Sequence, residues 1–222
     1  VVAVTIVYIP PTPARASRHP AQEFLDSFRY LNARRPLLYF IVYLTLIHFL
    51  LNGPLGLSIP YLISITRNEA IAGQLMGVMS GGAFAGAMLI SIWGGTRPRM
   101  HTILIGLLIT GAAFFMYAVA RTPLWLAVSI FILMIPLPIM NALSTSIFQL
   151  KIPPNMQGRV FSIFSQLSLL ASTSSFLITA ILAETTLESA TQTSGIGMVL
   201  IVTGAIIIFV TGVAYTSSSI RR

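Results

Sequence analysis

The chain has 222 residues, of which 55% are hydrophobic and only 8% are charged. Because an average soluble domain carries about 25% charged residues, this chain cannot coat a water-facing surface, and we expect an integral membrane protein. The absence of cysteine excludes thiol catalysis and zinc–thiolate sites. The formal net charge of +8 does not indicate nucleic acid, because the basic residues lie in short clusters between apolar segments.

The N-terminal part of the chain is predicted to lie outside the main bundle. Residues 1–13 hold nine almost wholly apolar residues, too few to cross a bilayer, and end in a cluster of prolines. We interpret them as the end of a preceding transmembrane helix, which makes the chain a fragment. Residues 14–35 are the most polar stretch, and Phe24, Phe28 and Leu31 share one helical face. This pattern predicts a cytoplasmic linker with a short amphipathic helix, whose simplest role is that of a tether.

Six apolar segments within residues 36–222 are each long enough to span a membrane. They cover residues 36–66, 71–93, 102–120, 123–150, 160–183 and 196–217. The predicted fold is therefore all-α, a polytopic membrane protein with six transmembrane helices. When the links are placed alternately on two sides, all basic residues except Arg67 and Arg121 fall on one side. By the positive-inside rule, loops 94–101 and 151–159 and the C-terminus are predicted to be cytoplasmic, in the cell (inner or plasma) membrane.

The first segment carries a polar stripe. Thr45, His48 and Asn52 follow one another at i, i+3 and i+7, and the sequence Asn52-Gly53-Pro54 then interrupts the helix. The interiors of the six segments contain no Asp, Glu, Lys or Arg, which argues against a carboxylate-based pump or a voltage sensor. Two interpretations of His48 and Asn52 remain open: they hydrogen-bond neighbouring helices, or they line a path for a substrate or a proton.

The fourth segment has a parallel design. Pro136-Leu137-Pro138 interrupts it, and Asn141, Thr145 and Gln149 follow at a spacing of four. Broken helices at corresponding positions of two repeats indicate a transporter binding site, although a kink without a site is the alternative.

The remaining segments complete a repeated order. The second carries Gly73, Gly77 and Gly81 at a spacing of four, followed by Gly82 and Gly86, and small residues four apart are typical of close helix packing, either static or at a sliding interface. The fifth is rich in hydroxyl groups, and Gln166 and Thr173 are pathway candidates there, although such hydroxyls often bond their own backbone. The third and sixth are plain and are predicted to face lipid. The order therefore predicts a three-plus-three inverted repeat.

Catalytic and metal-binding motifs are absent from the sequence. There is no HExxH or GxxxxGKS/T motif, and the three histidines are too scattered for a metal site. We therefore expect neither an enzyme nor a bound cofactor.

Three motifs carry a resemblance to a known family. They are Asn52-Gly53-Pro54-Leu55, then Gly94-Gly95-Thr96-Arg97-Pro98-Arg99, and Lys151-Ile152-Pro153-Pro154 followed by Gln157-Gly158-Arg159-Val160-Phe161-Ser162. On these motifs the chain resembles the C-terminal six-helix half of the major facilitator superfamily, in its drug-exporter-like branch. The loop at 94–99 lacks the acidic residue of the family's stronger motif, which argues against a gating salt bridge there.

The resemblance implies half of a twelve-helix fold that works by alternating access without ATP. The implied activity is ion-gradient-driven efflux of an amphipathic small organic molecule by antiport, with a proton as the coupling ion. The implied partners are the lipid bilayer, the substrate, the coupling ion and the N-terminal half of the transporter. Residues of the conformationally active loops would be Gly94, Gly95, Arg97, Arg99, Gly158 and Arg159. A permease subunit of an ATP-driven transporter and a non-transporting membrane scaffold stay open as alternatives.

Overall fold

The structure is a computed structural model that describes residues 31–95, 97–187 and 192–216. Within these ranges the chain forms eight α-helices and no strand. They are α1 (Arg35–Gly56), α2 (Ser58–Thr66), α3 (Glu69–Trp93), α4 (Arg99–Val119), α5 (Pro123–Met134), α6 (Pro136–Lys151), α7 (Pro154–Leu187) and α8 (Gln192–Thr216). The predicted helix end at 1–13 and nearly all of the predicted linker at 14–35 lie outside the described residues.

Six helical stretches are long and apolar enough to cross a membrane, which confirms the predicted all-α membrane fold. The α1–α2 pair and the α5–α6 pair each make one span, and α3, α4, α7 and α8 make the other four. Only Arg67 and Asn68 separate α2 from α3. Asn68 Oδ1 accepts hydrogen bonds from the backbone N–H of Ala70 and Ile71, at 2.9 and 3.3 Å, and so caps the start of α3.

Both predicted helix interruptions are present. The break in the first span lies at Leu57, three residues after Pro54, because α1 continues through the proline to Gly56. The break in the fourth span lies at Ile135, and Pro136 takes the first position of α6, where its missing N–H leaves no donor unsatisfied. Each broken span thus enters the bundle as two helices in series.

Helix pairing supports the predicted three-plus-three repeat. The first span packs chiefly on α7, the fourth span packs on α3, and α4 packs on α8. These pairs join spans one and five, spans four and two, and spans three and six. If spans one, two and three change places with spans four, five and six, the first pair becomes the second and the third pair stays the same. This exchange symmetry is what two structurally related triplets produce.

The prediction that the third span faces lipid is wrong. In the apolar 18-residue stretch of α4, 61% of the residues are buried inside the bundle. In the corresponding stretches of α3 and α7, 17% are buried. Lipid chains and protein interiors are equally apolar, so an apolar sequence does not reveal which of them surrounds a helix. The third span is the inner support of the bundle, and the glycine-rich and hydroxyl-rich spans are its open sides.

Ring contacts define the two ends of the bundle. At the first end, the rings of His101 at the start of α4 and Tyr215 near the end of α8 lie 5.5 Å apart. At the second end, the rings of Tyr61 in α2 and Tyr117 in α4 lie 5.0 Å apart, and Tyr61 donates a hydrogen bond to Ala118 O at 2.9 Å. The first span and α4 therefore both run towards the second end, and α8 runs back to the first end, as the predicted alternation of the spans requires.

Candidate functional site

A cavity of about 170 Å³ lies between α1, α4, α6 and α7. Its polar lining residues are His48, Asn52, Asn141, Ser144 and Thr145. Its remaining lining residues are apolar or aromatic, from Leu44, Ile47, Leu51 and Leu55 of α1, Ile103 and Leu107 of α4, Leu137, Met140 and Phe148 of α6, and Phe164 of α7. The structure thus brings parts of both predicted polar stripes to one cavity. An apolar pocket with a few convergent polar groups is typical of a site for a small organic molecule.

The α1 wall is organised by hydrogen bonds within its own helix. Nδ1 of His48 lies 2.8 Å from Leu44 O, and Nδ2 of Asn52 donates to His48 O at 2.7 Å. In the described part of the chain, neither side chain hydrogen-bonds another helix. The interpretation that both act as interhelical hydrogen-bond partners is therefore not supported. The contact of His48 with α7 is instead an edge-to-face approach to Phe164, with ring centroids 5.6 Å apart.

The α6 wall follows directly from the break at Ile135. Asn141, Ser144 and Thr145 stand at i, i+3 and i+4 on one face of α6, about two to three turns beyond the break. Asn141 and Thr145 are exposed in the bundle, so the cavity is open on this side. Sequence reasoning missed Ser144, although its spacing from Asn141 was a usable signal.

Two of the predicted pathway residues in the broken spans lie away from the cavity. Thr45 is half-buried, and its Oγ1 has no hydrogen-bond partner among the described residues. Gln149 is exposed near the end of α6, where its backbone carbonyl accepts a hydrogen bond from Gln157 Nε2 at 3.0 Å. Each stripe therefore contributes two of its three predicted residues to the lining.

The two α7 candidates are also outside the lining. Gln166 and Thr173 are exposed. The Thr173 hydroxyl donates to Leu169 O of its own helix at 3.0 Å, and Gln166 Nε2 donates to Ser162 Oγ at 3.4 Å. Such local bonds satisfy the polar groups without any ligand.

The loop glycines at 94 and 95 have a conformational reason to be glycine. Gly94 and Gly95 adopt φ angles of 69° and 79°, in the region that side chains with a Cβ rarely occupy. Gly94 ends α3 by donating its N–H to Ile90 O at 2.8 Å. A Cβ on Gly158, by contrast, would meet nothing within 4 Å. Arg97 is exposed, and Arg99 and Arg159 are half-buried. A role of these residues in gating stays a prediction.

Close packing of the α3 glycines is confirmed for Gly82 and Gly86, whereas the stripe of Gly73, Gly77 and Gly81 does not make it. A Cβ on Gly73 or Gly77 would meet nothing within 4 Å, and one on Gly81 would be 4.0 Å from Phe131. The close approach to the fourth span is made by Gly82 and Gly86, where a Cβ would meet backbone carbonyls of that span. The tight interface therefore lies on a neighbouring face of the helix, and the stripe itself is open.

A second close approach joins α1 to α7 beside the cavity. The N–H of Gly53 donates to Ser175 Oγ at 2.9 Å, and the Ser175 hydroxyl donates to Phe49 O. In a regular α-helix the N–H of residue i+4 donates to the carbonyl of residue i, which here would be Gly53 and Phe49. The Ser175 hydroxyl of α7 hydrogen-bonds both of these backbone groups of α1. A Cβ on Gly53 would lie 2.7 Å from Ser175 O and still closer to the hydroxyls of Ser175 and Thr179. No periodicity in the sequence indicated this contact.

An aromatic cluster lies between the cavity and the first end of the bundle. The ring centroid of Phe148 is 5.3 Å from that of Phe40, 5.5 Å from that of Phe161 and 5.2 Å from that of Phe164. Phe148 is only 1% exposed, so the cluster is well packed. These rings come from α1, α6 and α7, and two of them, Phe148 and Phe164, line the cavity.

Comparison with known proteins identifies the family. No curated protein and no solved structure is significantly similar to the chain. The family model described as Major Facilitator Superfamily matches residues 1–176, which is most of the chain. Together with six apolar spans around a part-polar cavity, this match shows that the chain belongs to the Major Facilitator Superfamily of membrane transporters.

Proposed function

We propose that the chain is the C-terminal half of a drug-exporter-like transporter that moves an amphipathic small organic molecule out of the cell by alternating access. The observation that carries the proposal is the cavity, where His48 and Asn52 of one broken span face the same space as Asn141, Ser144 and Thr145 of the other. Polar groups set among aliphatic and aromatic side chains suit a ligand with both polar and apolar parts.

The N-terminal half of the transporter is the proposed partner. Only 17% of the residues in the apolar 18-residue stretches of α3 and α7 are buried, and the cavity is open beside Asn141 and Thr145. Each of these helices combines small or hydroxyl-bearing residues with exposed apolar ones, which suits contact with other transmembrane helices. A second six-helix bundle against these sides would complete the cavity wall.

A proton gradient is the proposed energy source. His48 is the one acidic or basic side chain in the interior of the six spans, and histidine is the side chain that ordinarily gains and loses a proton near neutral pH. Its place in the cavity lining puts it beside the proposed substrate.

Efflux measurements test this function. We expect cells that produce the natural-length protein to accumulate less of an amphipathic fluorescent dye than control cells, and a protonophore should abolish the difference. Depleting ATP while an imposed proton gradient is maintained should leave it intact. Efflux that follows ATP rather than the gradient would instead identify a permease subunit of an ATP-driven transporter, and no efflux of any of a broad dye set would favour the scaffold.

Cysteine labelling tests the proposed sidedness, and these 222 residues contain no cysteine that would have to be replaced first. Single cysteines at Thr96 and Asn155 should react with an impermeant maleimide only from the cytoplasmic side, because the links at that end of the bundle carry most of the basic residues. One at Thr186 should react only from outside. Reaction of all three from the same side would contradict the orientation.

A further inference from the structure

The hydrogen bonds of α1 fix which atoms His48 and Asn52 can offer to a ligand. A carbonyl oxygen only accepts, so the 2.8 Å contact between His48 Nδ1 and Leu44 O requires the proton to be on Nδ1. A neutral imidazole carries a single N–H, which leaves Nε2 as an acceptor. By the same reasoning, Asn52 Nδ2 must be the atom 2.7 Å from His48 O, so its Oδ1 is the free acceptor.

The two acceptors have access to the cavity. His48 and Asn52 both line it, and neither Nε2 nor Oδ1 is among the buried, unpartnered polar atoms of the described residues. The neighbouring ring of Phe164, which meets His48 edge to face at 5.6 Å, supplies no conventional hydrogen-bond donor. The lone pair of Nε2 is therefore available to a group that enters the cavity.

The opposite wall does not select in the same way. Asn141, Ser144 and Thr145 each carry both a donor and an acceptor, so they can adjust to either kind of ligand group. None of the described lining residues is acidic or permanently charged, so this wall offers no carboxylate to offset the desolvation of a cationic group beside His48.

We infer that this wall of the cavity binds an uncharged O–H or N–H donor group of an amphipathic molecule at His48 Nε2, and the apolar part of that molecule at the aliphatic and phenyl side chains. This inference rests on the proposed function and specifies its substrate class. His48 is then the residue that distinguishes a hydroxyl or amide from the same molecule with the donor hydrogen replaced by a methyl group.

Paired probes test this distinction. We would measure binding of 1-naphthol, of its methyl ether and of the charged 1-naphthylmethylamine to the natural-length protein in lipid nanodiscs. All three compounds also partition into lipid. We therefore compare the ratio of naphthol affinity to ether affinity for the wild-type protein with the same ratio for a variant in the same lipid. A net hydrogen bond of typical strength predicts that His48→Phe lowers this ratio about five- to tenfold by weakening naphthol binding, with ether binding unchanged.

His101→Phe is the matched control. His101 is also a half-buried histidine in an edge-to-face ring contact, but it lies at the first end of the bundle, away from the cavity lining. It should keep the wild-type ratio. An equal ratio in wild type and His48→Phe, or tighter His48-dependent binding of the amine than of naphthol, would overturn the inference.

Histidine NMR provides a second readout that does not depend on the stability of a variant. With ¹⁵N-labelled histidine, two-bond proton–nitrogen correlations should show neutral His48 protonated on Nδ1, and naphthol should shift the Nε2 resonance. A proton on Nε2 would overturn the inference even if the protein exports dye in a gradient-driven way. If the protein exports no dye, but neutral His48 carries its proton on Nδ1 and naphthol is preferred over its ether, then the proposed transport is contradicted and the binding inference stands.

Discussion

Gly53→Ala is expected to destabilise the bundle strongly, although it adds only one methyl group to the first span. The added Cβ would lie 2.7 Å from Ser175 O and closer still to two hydroxyl oxygens of α7. A backbone carbonyl cannot rotate away, so α1 and α7 must separate, and the Ser175 bridge between Phe49 O and Gly53 N–H is lost with them. Overpacking typically costs about 1–3 kcal/mol, and the lost hydrogen bonds add to it.

The glycines of α3 provide matched controls for this experiment. Gly73→Ala and Gly77→Ala also add one methyl group inside a membrane-spanning helix, but nothing lies within 4 Å of the new atom. Alanine is about 1 kcal/mol better than glycine in a helix interior, so we expect unchanged or higher stability of the bundle. Thermal unfolding of the purified protein in detergent measures all three variants. Equal midpoints for Gly53→Ala and Gly73→Ala would contradict the close contact between α1 and α7.

The contrast between these glycines shows what the sequence could not establish. Its spacing correctly identifies a small-residue stripe on α3, but spacing specifies a face of a helix and not the helix that meets it. Of the five α3 glycines, the bundle uses Gly82 and Gly86 for the close contact, and the glycine of α1 that lies against the backbone of α7 is Gly53. Three-dimensional packing alone reveals the Ser175 bridge, because a serine in a hydroxyl-rich helix resembles its neighbours in sequence.

Other features follow from the sequence because a membrane imposes them. The six spans and the presence of a break in the first and fourth spans follow from segment length and proline, although the first break lies at Leu57 and not at Asn52-Gly53-Pro54. The burial of α4 does not, since lipid and protein interior favour the same side chains. Thr173 illustrates a further limit, because a hydroxyl that bonds its own helix has the same sequence signature as one that lines a path.

Replacement of His48 is expected to have the largest effect on transport with little effect on stability. His48 hydrogen-bonds Leu44 O of its own helix, so His48→Ala removes no described hydrogen bond between helices. Even where such bonds exist, they contribute only about 0.6 kcal/mol on average. We therefore expect nearly normal protein abundance in the membrane and at least about a tenfold loss of gradient-driven dye efflux, since the substrate and the proton both lose their proposed partner.

His48→Gln separates the two proposed roles of this side chain. The glutamine carbonyl can still accept a hydrogen bond from a ligand, but glutamine cannot gain a proton near neutral pH. If His48 carries the coupling proton, this variant should bind the dye and equilibrate it across the membrane, yet fail to move it against a concentration gradient. Counterflow and uphill efflux in proteoliposomes measure these two activities, and His101→Gln should retain both. Full uphill transport by His48→Gln would assign His48 to ligand binding alone and place proton coupling elsewhere in the transporter.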